Sequence, residues 1–130
     1  MKATKISPKW ITTLDDNEIF VFGSNLEGIH GGGAAYTAYK QFGAIWGQGT
    51  GLQGKSYGIP TMHGGVDTIA PYVDEFIAFA HEHKDMKFLV TEIGCGIAGF
   101  TVSDIAKLFR AAINEDNIYL PQRFVDELNK

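Results

Sequence analysis

The amino-acid sequence predicts one α/β domain spanning residues 1–130, with a mixed, largely parallel sheet and helices on both of its faces. Three observations carry that expectation. A length of 130 residues suits a single domain able to bury its own core. Short β-branched and aromatic runs alternate with longer segments of helical period. The 16 glycines are crowded into Gly23 to Gly65 and Gly94 to Gly99, where strand-like runs give way to helix-like ones.

The elements follow in order. EIFVFG, Glu18 to Gly23, is β-branched and aromatic and predicts a buried strand. GAAYTAYKQF, Gly33 to Phe42, is alanine-rich and predicts a helix that Gly43 ends. SYGIP, Ser56 to Pro60, predicts a second strand. From Thr68 to Lys84, Ile69, Val73, Phe76, Ile77 and Ala80 recur at a helical period. Phe88 to Ile93 predicts a third strand. Ser103 is expected to cap a helix running through Ile113, with Ile105, Ala106, Leu108 and Phe109 on its buried side. Asn117 to Leu120 predicts a last strand and Gln122 to Leu128 a closing helix. The sequence contains no internal repeat, low-complexity tract or linker.

Composition narrows the function classes. With 45% hydrophobic and 20% charged residues, the chain reads as an ordinary soluble globular protein. A net charge of -4 argues against a broad basic surface for a nucleic-acid backbone. The single cysteine, Cys95, excludes an intramolecular disulfide and a Cys-rich zinc site, and suits a reducing, cytoplasmic setting. Lys2 and Lys5 precede no apolar run like that of a signal peptide, and no stretch approaches the ~20 apolar residues of a membrane span. Neither a membrane partner nor a metal is expected, since His81-Glu82-His83 lacks zinc-ligand spacing.

GQGTGLQGKS, Gly47 to Ser56, matches the phosphate-loop spacing G-x-x-x-x-G-K-[ST] through Gly49, Gly54, Lys55 and Ser56. A nucleoside triphosphatase would need a helix to begin at Ser56, because that helix N-terminus supplies donors to phosphate. Tyr57-Gly58-Ile59-Pro60 follows instead, and the proline drives Ile59 toward extended backbone. Lys55 and Ser56 therefore read as the approach to a strand, which leaves the triphosphatase as a distant alternative.

Two other segments stand where ligands bind in α/β sheets, beyond a strand's carboxyl end and before a helix. One is GSNLEGIHGGGAA, Gly23 to Ala35; the other is GCGIAGF, Gly94 to Phe100. LVTEIGCGIAGFTVSDIAKLF, Leu89 to Phe109, resembles the macrodomain family in its strand, its glycine loop ending in an aromatic residue, and its helix. FVFGSNLEGIHGGGAAYTAYKQFG, Phe20 to Gly43, resembles the same family's strand ending in asparagine, glycine-rich loop and helix. Together the two matches span about Glu18 to Leu120, in the family's order.

The resemblance implies a three-layer α/β/α sandwich that binds ADP-ribose or a related nucleotide in a cleft between these loops. It implies no cofactor, and an ADP-ribosylated macromolecule as a further partner. Gly31, Gly32 and Gly33 would approach one phosphate, with Gly23 and Ala34 also among the ligand-binding residues. Gly94, Cys95, Gly96, Ile97, Ala98 and Gly99 would approach the distal phosphate and ribose. Backbone amides at a helix N-terminus hold a diphosphate without net positive charge, so an acidic protein remains a competent anion binder. Phe100 would pack on the distal ribose, its alternative being a core position under the helix. Asn25 would hydrogen-bond the ribose hydroxyls, its alternative being to cap a turn.

Macrodomains divide into binders and hydrolases that remove ADP-ribose from proteins or nucleic acid. One hydrolase group carries an aspartate just after its first glycine loop; the matching stretch here is Gly33-Ala34-Ala35-Tyr36. Another, with the wording I-G-C-G-L-D, has its aspartate where this chain has Ala98. Binding is therefore the expectation, and hydrolysis the alternative. If chemistry occurs, Glu27 and His30, three residues apart, are candidates for a carboxylate-oriented imidazole base, with Glu92 and His63 as further candidates. Cys95 reads as a small buried filler. Trp46 would either stack on a base or join the core.

Overall fold

The computed structural model describes residues 5–96 and 98–130. Among them the chain runs β1 (Glu18–Ser24), α1 (Gly33–Gln41), β2 (Gly51–Gln53), β3 (Ser56–Pro60), α2 (Val66–His81), β4 (Lys87–Val90), α3 (Val102–Ala106), β5 (Ile118–Tyr119) and α4 (Gln122–Leu128). A 3-10 segment, Lys107–Asn114, continues α3. The strands form one five-stranded sheet in the order β2-β3-β1-β4-β5. β1 is parallel to both β3 and β4, β5 is parallel to β4, and only β2, at the edge, is antiparallel. The fold is thus α/β, with a mixed, mostly parallel sheet.

β1 is central because its sequence is apolar on both faces, the pattern of a strand covered on either side. Ile19 and Val21 enter the larger core with Val73 and Phe76 of α2, Phe88 and Val90 of β4, Ile105 and Phe109. Phe20 and Phe22 point the other way, into a separate core with Ala35 and Ala38 of α1, Phe42 and Ala44. Both helices flanking β1 are therefore held by alternate residues of one strand.

Several boundaries differ from the sequence expectation. β2 was not foreseen, because Gly51-Leu52-Gln53 lacks the β-branched pattern of a strand. α2 starts at Val66 rather than Thr68. β4 ends at Val90, where its pairing with Val21 ends and the chain turns through a 2.8 Å hydrogen bond from the Ile93 N–H to the Thr91 carbonyl. The third helix is capped by Thr101 and not Ser103: the Thr101 hydroxyl oxygen accepts from the Asp104 N–H at 3.1 Å. Its expected length to Ile113 divides into one α-helical stretch and the tighter 3-10 segment.

Ser56 opens β3, and the Lys55 ammonium donates to the Leu14 carbonyl (3.4 Å) and the Asp15 carbonyl (2.7 Å). The helix that a triphosphate loop needs after Ser56 is replaced by a strand. Among the described residues, no helix is long and apolar enough to cross a membrane.

Candidate functional site

The sheet reverses its winding at β1, since the next parallel strand, β3, lies on one side and β4 on the other. Such a switch point opens a crevice beyond the carboxyl ends of the strands. Here the crevice is a cleft of about 450 Å³. Its walls come from the ends of three strands and the two glycine loops: Gly23, Ser24 and Asn25 after β1, Thr61 and Met62 after β3, and Thr91 to Gly94 after β4. Gly31 to Ala35 form one side, and Gly96 and Ala98 the other. The loops, some 70 positions apart in sequence, touch: a Cβ placed on Gly23 would stand 3.4 Å from the Gly94 amide nitrogen.

Asn25 shapes the first loop. Its side-chain carbonyl accepts from the Ile29 N–H at 2.8 Å, and its amide donates to the Ile29 carbonyl at 3.0 Å. The turn-capping alternative is the geometry observed, while one lone pair and one N–H of the Asn25 side chain stay outside these bonds. Behind this turn runs the segment that mimics a phosphate loop. Gly47 N–H donates to the Gly28 carbonyl at 2.9 Å, and the Ser24 hydroxyl donates to the Gly49 carbonyl. The two backbones are so close that a Cβ at Gly28 would fall on Gln48 nitrogen, and one at Gly49 on the Asn25 carbonyl oxygen. The glycines of GQGTG thus allow main chain to buttress main chain.

The first loop then delivers Gly31, Gly32 and Gly33 to the start of α1. Gly32 is the N-cap, has no side chain to satisfy the first-turn amides, and no acidic residue lies in that turn. Those N–H groups have no acceptor within the helix, and the residues that carry them, Gly33, Ala34 and Ala35, line the cleft. A Cβ on Gly31 or on Gly96 would meet nothing within 4 Å, so open space lies directly above both. α3 differs, because Thr101 already occupies its N-terminus. Of the two helices that follow the glycine loops, only α1 lacks a side-chain cap.

Of the residues expected at the ligand, Gly23, Asn25, Gly31, Gly32, Gly33, Ala34, Gly94, Gly96 and Ala98 line the cleft. Ile97 lies outside the described residues. Cys95, Gly99 and Phe100 are not on the lining. Phe100 and Cys95 pack against the larger core instead, which is the alternative position expected for each. Burial, then the negative charge of Glu92, pushes the Cys95 thiol above its ordinary range, opposite to what a nucleophile requires.

The catalytic candidates separate. His30 is 0% exposed, with Phe22 edge-on at 5.3 Å. Its Nε2 stands 2.9 Å from the Ile45 carbonyl and so carries the proton, while Nδ1 has no hydrogen-bond partner among the described residues. Glu27 is exposed and makes no hydrogen bond to that ring, so the expected carboxylate–imidazole base is not assembled, and neither residue lines the cleft. His63 turns away toward Tyr72 and the Thr68 carbonyl. Trp46 stands against Tyr39 at 5.2 Å, also off the lining.

Glu92 does line the cleft. Arg123 of α4 grips its carboxylate with both arms, Nε to Oε2 at 2.8 Å and Nη2 to Oε1 at 2.6 Å. Those hydrogen bonds, with the guanidinium's charge, hold the Glu92 carboxyl below the usual carboxylate range against a smaller opposing effect of burial. The sequence reading missed Arg123, and it also missed Ser24, Ile29, Ala35, Thr61, Met62, Thr91 and Ile93 on the lining. Thr61 and Met62 were legible in principle, because they follow directly on the expected strand Ser56 to Pro60 and so stand at a strand's carboxyl end.

Among the described residues, no group of three or more His, Cys, Asp or Glu side chains is placed to hold a metal ion. Scans against protein-family models, curated proteins and solved structures find no match to this chain.

Proposed function

We propose that this chain is a macrodomain-like binding module for ADP-ribose or a closely related nucleoside diphosphate derivative. The observation that carries the reading is the uncapped N-terminus of α1, opening with three exposed glycines onto a cleft whose far wall is a second glycine loop. Unsatisfied amides at such a helix end favour a phosphate, and their dipole adds to the attraction. Apart from Asn25 and Glu92, the lining side chains are apolar or hydroxylic, and the glycines suit a sugar held close to main chain.

Support for the finer architecture, a three-layer α/β/α sandwich, comes from the two separate cores on opposite faces of β1 and from the single antiparallel edge strand. The exposed glycines leave the cleft accessible to ADP-ribose still attached to a protein or nucleic acid, a partner class consistent with this reading. Titration calorimetry with ADP-ribose tests it. Saturable heat at micromolar to millimolar ligand is expected, and no heat from folded protein at millimolar ligand removes the proposal.

One observation favours a second reading, an ADP-ribosyl hydrolase: Glu92 brings a carboxylate to the cleft wall. In that case ADP-ribosylated protein or DNA incubated with the chain releases ADP-ribose, and Glu92→Gln abolishes the release. Turnover unaffected by Glu92→Gln removes Glu92 from the chemistry.

A further inference from the structure

A second hollow, of about 740 Å³, lies beside the cleft, between the segment carrying Lys9 and Trp10 and the start of α4. Thr91 and Glu92 belong to the walls of both, so the two hollows meet at Glu92. Among the described residues, Glu92 is the only charged side chain on the first lining. On the second, it faces two cations, Lys9 and Arg123. An anion held by the glycine loops would therefore share its cleft with a carboxylate, and that carboxylate occupies the Arg123 guanidinium, which is itself suited to an anion.

We propose that the Glu92–Arg123 pair is a latch at this seam, in which a ligand phosphate displaces Glu92 and takes its place on Arg123. The inference rests on the nucleotide-binding reading above and deepens it by assigning the residue that selects for phosphate.

A guanidinium fork fits phosphate as well as carboxylate, with two parallel N–H donors available to either. The side chains of Arg123 and Glu92 are 63% and 36% exposed, so the pair is screened by water and easily exchanged. Lys9, whose ammonium lies 5.8 Å from the Trp10 ring centroid, adds positive charge that is felt at Glu92 and at an arriving phosphate. Trp10 is 80% exposed and presents an apolar surface beyond the seam for the remainder of the ligand. Ligands with a phosphate at the seam gain Arg123; an uncharged nucleoside gains nothing from opening the latch.

Calorimetry on the full chain with ADP-ribose and with adenosine, for Arg123→Gln and Glu92→Gln, tests the latch. Arg123→Gln is expected to weaken ADP-ribose roughly tenfold or more and to leave adenosine unchanged within about threefold. Glu92→Gln is expected to tighten ADP-ribose by roughly three- to tenfold, because the receptor is no longer masked. These opposite signs are the signature. An ion pair that merely fastens α4 to the β4 loop would make both variants weaken binding together, and that result, or no change in either, overturns the latch. Thermal midpoints of both variants accompany the titrations, so that a misfolded variant is recognised, and Arg123→Lys supplies a conservative check with intermediate affinity expected. If the unsubstituted chain binds no ADP-ribose, the nucleotide reading fails and the latch with it; if it binds while the variants move together, the latch alone fails.

Discussion

Gly28 and Gln48 are pressed main chain to main chain: a Cβ added to Gly28, which sits at φ +71°, would fall on the Gln48 backbone nitrogen. Neither the left-handed backbone nor the contact admits a side chain, and backbone cannot yield as a flexible side chain would. Gly28→Ala is expected to destabilise the fold by about 3 kcal/mol or more. Chemical denaturation measures this directly, and a loss under about 1 kcal/mol would contradict the buttress.

Gly31→Ala and Gly96→Ala should behave in the opposite way. Each added Cβ meets nothing within 4 Å, and neither glycine has a positive φ. Stability should stay within about 0.5 kcal/mol, while ADP-ribose affinity falls by about tenfold or more because the methyl occupies the space above the main chain. Paired denaturation and calorimetry check both halves. Unchanged affinity in both variants would mean that the ligand does not approach the backbone there.

The phosphate-loop likeness makes its own prediction. The Lys55 ammonium is committed to the Leu14 and Asp15 carbonyls. Lys55→Ala should cost about 1 kcal/mol in stability and leave affinity for both ADP-ribose and ATP unchanged. A selective loss of ATP binding in this variant would restore a role for the GKS spacing.

The Glu92 carboxyl supplies a pH test. Its pKa in the folded protein is depressed, first by the Arg123 hydrogen bonds. The stabilisation it contributes is therefore present above the unfolded-state value and is lost as the pH falls through the depressed folded value. At neutral pH the pair is intact. Carboxyl NMR of Glu92 should show titration below the ordinary carboxylate range in the unsubstituted chain and a return toward that range in Arg123→Gln. An identical titration in both would separate the two residues in solution.

Much of this architecture was legible in the sequence because strong local patterns agree with the tertiary fold. EIFVFG reads as a strand buried on both faces, and Ile19, Phe20, Val21 and Phe22 are all within the two cores. The glycine loops were recognisable from spacing, and Gly31, Gly32, Gly33, Gly94 and Gly96 do share one cleft. Side-chain direction was not legible. His30 belongs to the first glycine loop yet its ring is buried behind it against Phe22, where the Ile45 carbonyl meets Nε2. Arg123 stands 31 residues from Glu92 on another element, and no local pattern links them. β2 was hidden for a related reason: it pairs with β3 where the Gly58 backbone comes so near the segment before β2 that a Cβ there would stand 2.7 Å from the Gly49 carbonyl oxygen, a contact no local pattern announces.

Two distant stretches of main chain holding one anionic ligand should respond together when backbone amide NMR follows an ADP-ribose titration. Saturable shifts are expected to concentrate at the amides of Gly31 to Ala34 and of Gly94 to Ala98, with a common dissociation constant for both groups. Shifts confined to one loop, or centred away from both, would contradict it.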